Sequence, residues 1–327
     1  MISLLVLLLV TISKQTYNMI LSFFGATAIP LQDVYHLQET SPDILLYAVP
    51  VVCLLTLAEF LFSRIQHHNN YDVEETIGSI ITGVGSLFIN LVLKIVLFYG
   101  AVWIYKLIPW RIEFHWWTLV PCYIIYDFCS YWAHRIAHYN RFFWATHVVH
   151  HSAEYYNLTV SFRVSWVQHI KIIFFLPLMV LGFHPLVFFI ANQLGVLYQF
   201  WVHTESIGKL HPFIEKHFGT PSNHRVHHGS NEKYLDKNFG ATFMIWDHIF
   251  KSFQYEQELP NYGLTTGLNH KINPLVLNFH EYFDMIDDVK NARTFRRKLF
   301  YIFASPSMIQ NYKLKKIRTS SRDVIRK

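Results

Sequence analysis

Four long apolar blocks constrain the fold of this chain more than any other feature of its sequence. They cover residues 44–62, 77–105, 116–132 and 172–202. The first three contain one charged residue each, namely Glu59, Lys94 and Asp127, and the fourth contains none. A helix needs about 20 apolar residues to cross the hydrocarbon layer of a bilayer. The blocks therefore predict an all-α integral membrane protein, a helical bundle.

The fourth block contains a break at residues 182–185, where Pro185 removes a backbone donor and disfavours helix just before it. We therefore predict a helical hairpin that enters the membrane and returns to the same face. The chain then re-emerges at His203, on the side that holds Arg135, Arg141 and Arg163. Basic residues mark the cytosolic side of membrane proteins, so this side is predicted to be cytosolic.

The sequence divides into four predicted regions. Residues 1–40 form an N-terminal apolar or interfacial segment, and residues 41–260 form the membrane domain. Residues 261–311 form an amphipathic cytosolic segment, and residues 312–327 form a basic tail that we expect to be disordered. The net charge is +6, and basic residues are concentrated after Lys290. No groove-reading motif for nucleic acid accompanies them, so they are predicted to lie against anionic lipid.

Cys53, Cys122 and Cys129 all lie within apolar blocks. Three thiols in such places make neither a disulfide framework nor a C-x-x-C zinc site, so we predict packing residues. The chain also contains no phosphate-binding glycine loop and no Ser/His/Asp arrangement.

Three histidine clusters at metal-ligand spacing follow the apolar blocks. They are His134-x-x-x-His138, His147-x-x-His150-His151 and His224-x-x-His227-His228. On a helix, residues at i, i+3 and i+4 lie on one face, so each cluster can project together. Imidazole suits redox-active iron, and eight imidazoles can surround two metal ions. The sequence therefore predicts a helical cytosolic cap that carries a histidine-rich site for two metal ions at the edge of the membrane.

Five further residues are predicted to contribute to this site. His203 directly follows the hairpin and is a candidate ninth ligand. Asp127 lies within an apolar block, where a carboxylate needs a partner such as a ligand imidazole. Glu154, Asn157 and Asp236 each follow a histidine cluster and could act in the same way, or could cap a helix.

Around these clusters the chain resembles the fatty acid hydroxylase and sterol desaturase superfamily. The stretches that carry the resemblance are FCSYWAHRIAH after Asp127, WATHVVHHSAEYYNLT from Trp144, and NHRVHHGSNEKYLDKNFGATFMIWDHIFKSF from Asn223. The second and third are most similar to the alkylglycerol monooxygenase branch. The resemblance implies two iron ions held by the eight cluster histidines, and O₂-dependent attack on a C–H bond of a lipid. It also implies an external reductant, either a cytochrome b5/NADPH system or tetrahydrobiopterin.

The main hypothesis is a membrane lipid hydroxylase whose substrate is a fatty acyl lipid, a sterol or an alkylglycerol ether lipid. A desaturase on the same scaffold is the nearest alternative. A metal transporter is a distant alternative, because transporters place ligands near the bilayer midplane. We predict a multi-pass membrane protein, located in the endoplasmic reticulum of a eukaryote or in the inner membrane of a bacterium.

Overall fold

The computed structural model describes residues 43–268 and 271–325, together with residues 32, 36 and 39, and their side chains as far as residue 316. Within this part of the chain the fold is helical and contains no β-strand, so the predicted all-α class is confirmed. The segment predicted over residues 1–40 lies outside the described residues, apart from those three. The α-helices are α1 (Ile44–Ile65), α2 (Val73–Leu107), α3 (Leu119–Tyr139), α4 (Arg141–Trp144), α5 (Val148–His151), α6 (Leu176–Val180), α7 (Pro185–Phe200), α8 (Pro212–His217), α9 (Pro221–His228), α10 (Ile245–Ile249), α11 (Pro274–Lys290), α12 (Phe295–Phe303) and α13 (Pro306–Ile325).

The helices α1 and α2 are long and apolar enough to cross a membrane. Each begins at an aspartate that accepts a hydrogen bond from the first turn, Asp43 from the Leu46 amide and Asp72 from the Glu75 amide. Only 6% of the apolar window of α1 and 11% of that of α2 is buried. A surface so apolar is unfavourable in water and favourable in lipid, which indicates a membrane protein.

The third and fourth apolar blocks pack together as α3 and α7. The fourth block is broken where the sequence predicted: Gly182 has a φ of +83°, which glycine adopts readily, and α7 begins at Pro185. The limb before the turn is a 3₁₀ helix, Gln168–Phe175, followed by the short α6. The break is therefore present, but most of the first limb is 3₁₀ rather than α.

The buried core between these helices contains Cys122, Tyr126, Cys129, Leu178 and Phe188. Cys122 and Cys129 thus pack as predicted. Cys53 lies exposed on α1, so the packing prediction is wrong for this thiol. Its position on an outward, apolar helix face would place it against lipid.

The C-terminal helices α11 to α13 are joined to the rest of the protein through Arg141. Its buried guanidinium donates to Glu281 and Asp288 on α11, each at 2.6 Å. The predicted disorder after Tyr312 is wrong, because α13 continues through this region to Ile325. The helix begins at Pro306, where the fixed φ of proline suits a first helical turn.

Candidate metal centre

Nine histidines from distant parts of the sequence meet at one place in the fold. They form two groups, and within each group the candidate ligand atoms lie within 4.8 Å of one another. The five-histidine group contains His134, His138, His147, His151 and His227, and the four-histidine group contains His150, His203, His224 and His228. The groups are adjacent, since the rings of His151 and His228 stack with centroids 4.4 Å apart.

Helical spacing explains how the residues divide between the groups. The pairs His134–His138 and His147–His151 join the five-histidine group, and the pair His224–His228 joins the other. Each pair has the i, i+4 spacing that aligns side chains on one helix face. The residue left over in each H-x-x-H-H cluster, His150 or His227, contributes to the opposite group. Each of these two clusters therefore serves both groups, which the sequence reasoning did not foresee.

In the four-histidine group the nitrogen atoms that face inward are free to bind a metal. His203 Nδ1 lies 2.7 Å from the Gln199 carbonyl oxygen, which can only accept, so Nδ1 carries the proton. The unprotonated His203 Nε2 lies 2.9 Å from His224 Nε2 and 3.1 Å from His150 Nε2. Ring nitrogens gathered so closely suit a metal ion placed between them.

The five-histidine group has the same character. The Nδ1 atoms of His134 and His227 each lie 2.9 Å from a backbone carbonyl oxygen, which turns both Nε2 lone pairs inward. The buried Nε2 atoms of His134 and His138 have no hydrogen-bond partner among the described residues. Buried polar atoms are rarely left unsatisfied in proteins. These orphaned nitrogens fit a group that is completed by a metal ion.

A single loop orients three imidazoles of the five-histidine group. The carbonyl groups of Lys237 and Phe239 accept from His227 and His134, and the Asp236 carboxylate lies 3.3 Å from His138 Nδ1. Asp236 has a φ of +57°, in the left-handed region that aspartate and asparagine tolerate best among non-glycine residues. Asp236 therefore lies where the sequence predicted a partner for a ligand, whereas the two carbonyl contacts could not be read from residue types.

Two buried aspartates hold this loop in place. Asp247 accepts from the amides of Phe239 and Gly240 at 2.8 and 2.7 Å. Asp127 accepts from the Thr242 amide at 2.8 Å and from the Trp246 indole at 2.9 Å. The expectation that Asp127 contacts an imidazole is not met, because its partners in the described chain belong to this loop and to α10. Two loop amides and an indole satisfy the buried carboxylate instead.

Glu154 and Asn157 lie outside the ring of histidine contacts. The Glu154 carboxylate is exposed and forms an ion pair with Lys271 at 2.8 Å. Asn157 is buried, and its side-chain oxygen accepts from the Thr159 amide at the start of a 3₁₀ helix. Asn157 thus has the capping role that the sequence left open, and Glu154 is a surface residue.

Two buried glutamates link the long helices to the centre. Glu59 on α1 accepts from the Leu158 amide at 2.8 Å and from the Thr204 hydroxyl, next to His203. Glu75 on α2 accepts from the backbone amide of Glu154 at 3.0 Å. Neither role was predicted from the sequence, although Glu59 is the lone acid of an apolar block and an acid there is usually paired.

Burial favours the neutral form of several of these histidines. Desolvation lowers the pKa of His203 to about 4, and desolvation with the neighbouring imidazole charges lowers the pKa of His151, His224 and His228 well below the usual range. Neutral imidazole is the form that binds metal, so the surroundings favour the ligating state.

The geometry therefore defines a helical membrane protein with a buried, histidine-rich site suited to two metal ions. Residues 119–252 match the fatty acid hydroxylase family model. The chain is 35% identical over 284 residues to human alkylglycerol monooxygenase, which covers 85% of this chain and 62% of that protein. It is 36% identical over 237 residues to the Xenopus tropicalis alkylglycerol monooxygenase, covering 71% and 52%.

A bacterial relative extends the comparison. The ornithine lipid hydroxylase OlsE of Rhizobium tropici is 27% identical over 139 residues, or 40% of each chain. No solved structure matches. The match to the fatty acid hydroxylase family covers residues 119–252, and the chain spans about half to three fifths of the length of the two alkylglycerol monooxygenases.

Proposed function

We propose that this protein is a membrane lipid monooxygenase that inserts one oxygen atom of O₂ into a C–H bond of a lipid. The observation that carries the proposal is the pair of inward-facing imidazole groups, which contain nine histidines and no carboxylate ligand. Imidazole-rich ligation favours iron over magnesium or calcium, which prefer oxygen ligands. Bound iron would supply the reducible metal pair that activates O₂.

The five-histidine group would hold one ion and the four-histidine group the other. The chain's own contribution is to fix the ligands: carbonyl groups of the loop and of α7 hold Nδ1 protons, so that the Nε2 atoms face the ions. The Asp236 carboxylate lies 3.3 Å from His138 Nδ1, where it would help to orient this imidazole. Such anchoring keeps the imidazoles aligned without rearrangement during turnover.

The substrate class that we propose is a glycerol ether lipid. This assignment comes from the names of the alkylglycerol monooxygenase relatives. Hydroxylation of the carbon next to the ether oxygen gives a hemiacetal, which separates into a fatty aldehyde and glycerol. A fatty acyl lipid is the second choice, because one relative is named an ornithine lipid hydroxylase.

We further propose that the centre faces the cytosol and receives electrons from an external reductant. Arg141 follows the histidine-bearing end of α3, and Arg163 donates to the Ser152 hydroxyl beside His151. Basic residues favour the cytosolic side. We propose a location in the endoplasmic reticulum of a eukaryote or in the inner membrane of a bacterium. The reductant would be a cytochrome b5 system or tetrahydrobiopterin.

The experiment is a turnover assay on the purified protein in lipid nanodiscs. With iron, O₂, a reductant and an alkylglycerol, we expect about two iron ions per chain and release of fatty aldehyde. His150→Ala should abolish the product, whereas His217→Ala, an exposed histidine of α8, should not. Full activity of His150→Ala would contradict the proposal. An alkene product would support a desaturase, and metal flux without oxygen consumption would support a transporter.

A further inference from the structure

Two stacked tyrosines lead away from the four-histidine group. The Tyr156 ring is buried, and its centroid lies 5.2 Å from that of His228 and 6.0 Å from that of His203. Tyr262 stacks on Tyr156 with centroids 4.7 Å apart and an interplanar angle of 12°. The two rings form a continuous aromatic contact from a candidate metal ligand towards the protein surface.

The outer tyrosine has a partner that the inner tyrosine lacks. The Tyr262 hydroxyl donates to Glu205 Oε1 at 3.0 Å, and Glu205 is exposed. The Tyr156 hydroxyl donates to the Val202 carbonyl oxygen at 3.1 Å. A carboxylate can take up a proton, whereas a peptide carbonyl is a very weak base.

This difference in hydrogen-bond partners sets the direction of electron transfer between the two tyrosines. A phenol that loses an electron becomes strongly acidic, so its oxidation is easier where a base can accept the proton. Tyr262 has such a base, and Tyr156 does not. An oxidising equivalent on Tyr156 would therefore move outward to Tyr262. Phenols are readily oxidised but are not reduced under physiological conditions. Stepwise electron transfer through the two rings therefore carries electrons from the tyrosines to the centre.

We propose that Tyr156, Tyr262 and Glu205 form a protective oxidation route that returns an electron to the metal centre when it has reacted with O₂ and no lipid is bound. This inference rests on the proposed function. An enzyme that activates O₂ must dispose of its oxidant in unproductive cycles, because otherwise the oxidant attacks its own ligands. The stack begins beside His228, one of the ligands that would be damaged.

The step balances as a one-electron reaction. Tyr156 gives one electron to the oxidised centre and regains it from Tyr262. Tyr262 becomes a neutral phenoxyl radical as its proton passes to Glu205. A one-electron reductant, of the kind that the monooxygenase reaction consumes, later restores the Tyr262 phenol, and the proton returns from Glu205.

The test is rapid freeze-quench electron paramagnetic resonance on the iron-loaded, reduced protein mixed with O₂ in the absence of lipid. We expect a tyrosyl radical in the wild-type protein, and we expect its spectrum to change when the tyrosines carry ring deuterium. Tyr262→Phe keeps the stacked ring but removes the phenol, and it should abolish the radical. Tyr156→Leu should abolish the radical as well, and Tyr255→Phe, an exposed tyrosine, is the matched control.

A second measurement follows the damage itself. Tyr262→Phe should lose iron and activity in fewer lipid-free cycles than the wild-type protein, and mass spectrometry should find more oxidised histidine. An unchanged radical in both variants would overturn the inference. A wild-type protein that binds iron and consumes O₂ but forms no tyrosyl radical would overturn this inference alone. A wild-type protein that binds no iron would contradict the proposed function as well.

Discussion

At the scale of single residues, the centre depends on which nitrogen of each histidine carries the proton. Backbone carbonyl groups fix this choice for His134, His203 and His227, each through Nδ1. His138 differs, because its Nδ1 partner is the side chain of Asp236. Among these four Nδ1 partners, Asp236 alone acts through its side chain. A substitution can therefore remove it without moving the backbone.

Asp236→Ala should weaken metal binding by roughly 10- to 100-fold, as expected for the loss of a side chain that orients a ligand. Asp236→Asn keeps an acceptor oxygen and tolerates the positive φ, so it should bind metal more tightly than the alanine variant. Titration of the metal-free protein with ferrous iron measures both affinities. Equal affinity of all three proteins would show that Asp236 does not orient His138.

Acidification should destabilise the metal-free protein. His203 has a pKa near 4 in the folded state and near 6.5 when unfolded, so between these values the unfolded state binds more protons. Stability is then fully present above pH 6.5 and falls as the pH decreases towards 4. His203 alone contributes on the order of 3 kcal/mol to this loss.

The measurement is thermal unfolding of the chelated protein from pH 7.5 to pH 4.5, with His203→Asn as the comparison. The variant should show a shallower decrease over this range. A melting temperature that stays constant or rises on acidification would contradict the assigned neutral state of the buried imidazole.

At the scale of elements, α12 presents an apolar stripe that no other described element covers. Phe295, Leu299 and Phe303 are exposed at i, i+4 and i+8, whereas Tyr301 is buried. The exposed Arg296 lies beside the stripe. Helices with an exposed apolar face and basic flanks lie in the headgroup layer of membranes. The helix contacts α4, which follows the cytosolic end of α3, so such a position is consistent with the proposed orientation.

Spin labels should reveal the depth of α12 in nanodiscs. In a Cys53→Ser background, a label introduced by Leu299→Cys should be relaxed mainly by O₂, which concentrates in lipid. A label introduced by Lys298→Cys, one residue along the exposed helix, should be relaxed mainly by a water-soluble nickel complex. Equal access of the nickel complex to both labels would place α12 in water.

At the scale of the whole molecule, Glu59 connects α1 to the histidine centre. Its carboxylate accepts from the Tyr71 hydroxyl, the Leu158 amide and the Thr204 hydroxyl, and Thr204 follows His203 directly. These contacts join a long apolar helix to the segment that carries a candidate ligand. The loss of a buried acceptor with several donors costs about 1–3 kcal/mol for each donor left unsatisfied.

Glu59→Ala should lower the melting temperature and the iron content together, because the segment that holds His203 loses its anchor. Glu59→Gln retains one acceptor oxygen and should be intermediate, and Glu74→Gln, an exposed acid of α2, should behave as the wild type. Differential scanning calorimetry and metal analysis of the same samples test this. A Glu59→Ala protein with normal iron content would show that the α1 contact is dispensable for the centre.

The sequence determined the helical class, the membrane character, the break at Pro185 and the similarity to the fatty acid hydroxylase family. Each depends on local chemistry: apolar length decides whether a helix suits lipid, and proline disfavours helix at the residue before it. The histidine clusters could also be recognised from the sequence, because their spacing is typical of metal ligands. Their role as iron ligands stays a prediction, which the metal and turnover measurements address.

Only the tertiary structure decided how nine imidazoles divide into two groups, and why Asp127 and Asp236 differ. Both aspartates were candidates for the same role, but the loop of residues 236–244 presents its amides to Asp127 and carries Asp236 to His138. The carbonyl groups that hold His134 and His227 belong to the backbone, which every residue type shares. Contacts made by common backbone groups between distant segments leave no residue-type signature, so the packed chain alone reveals them.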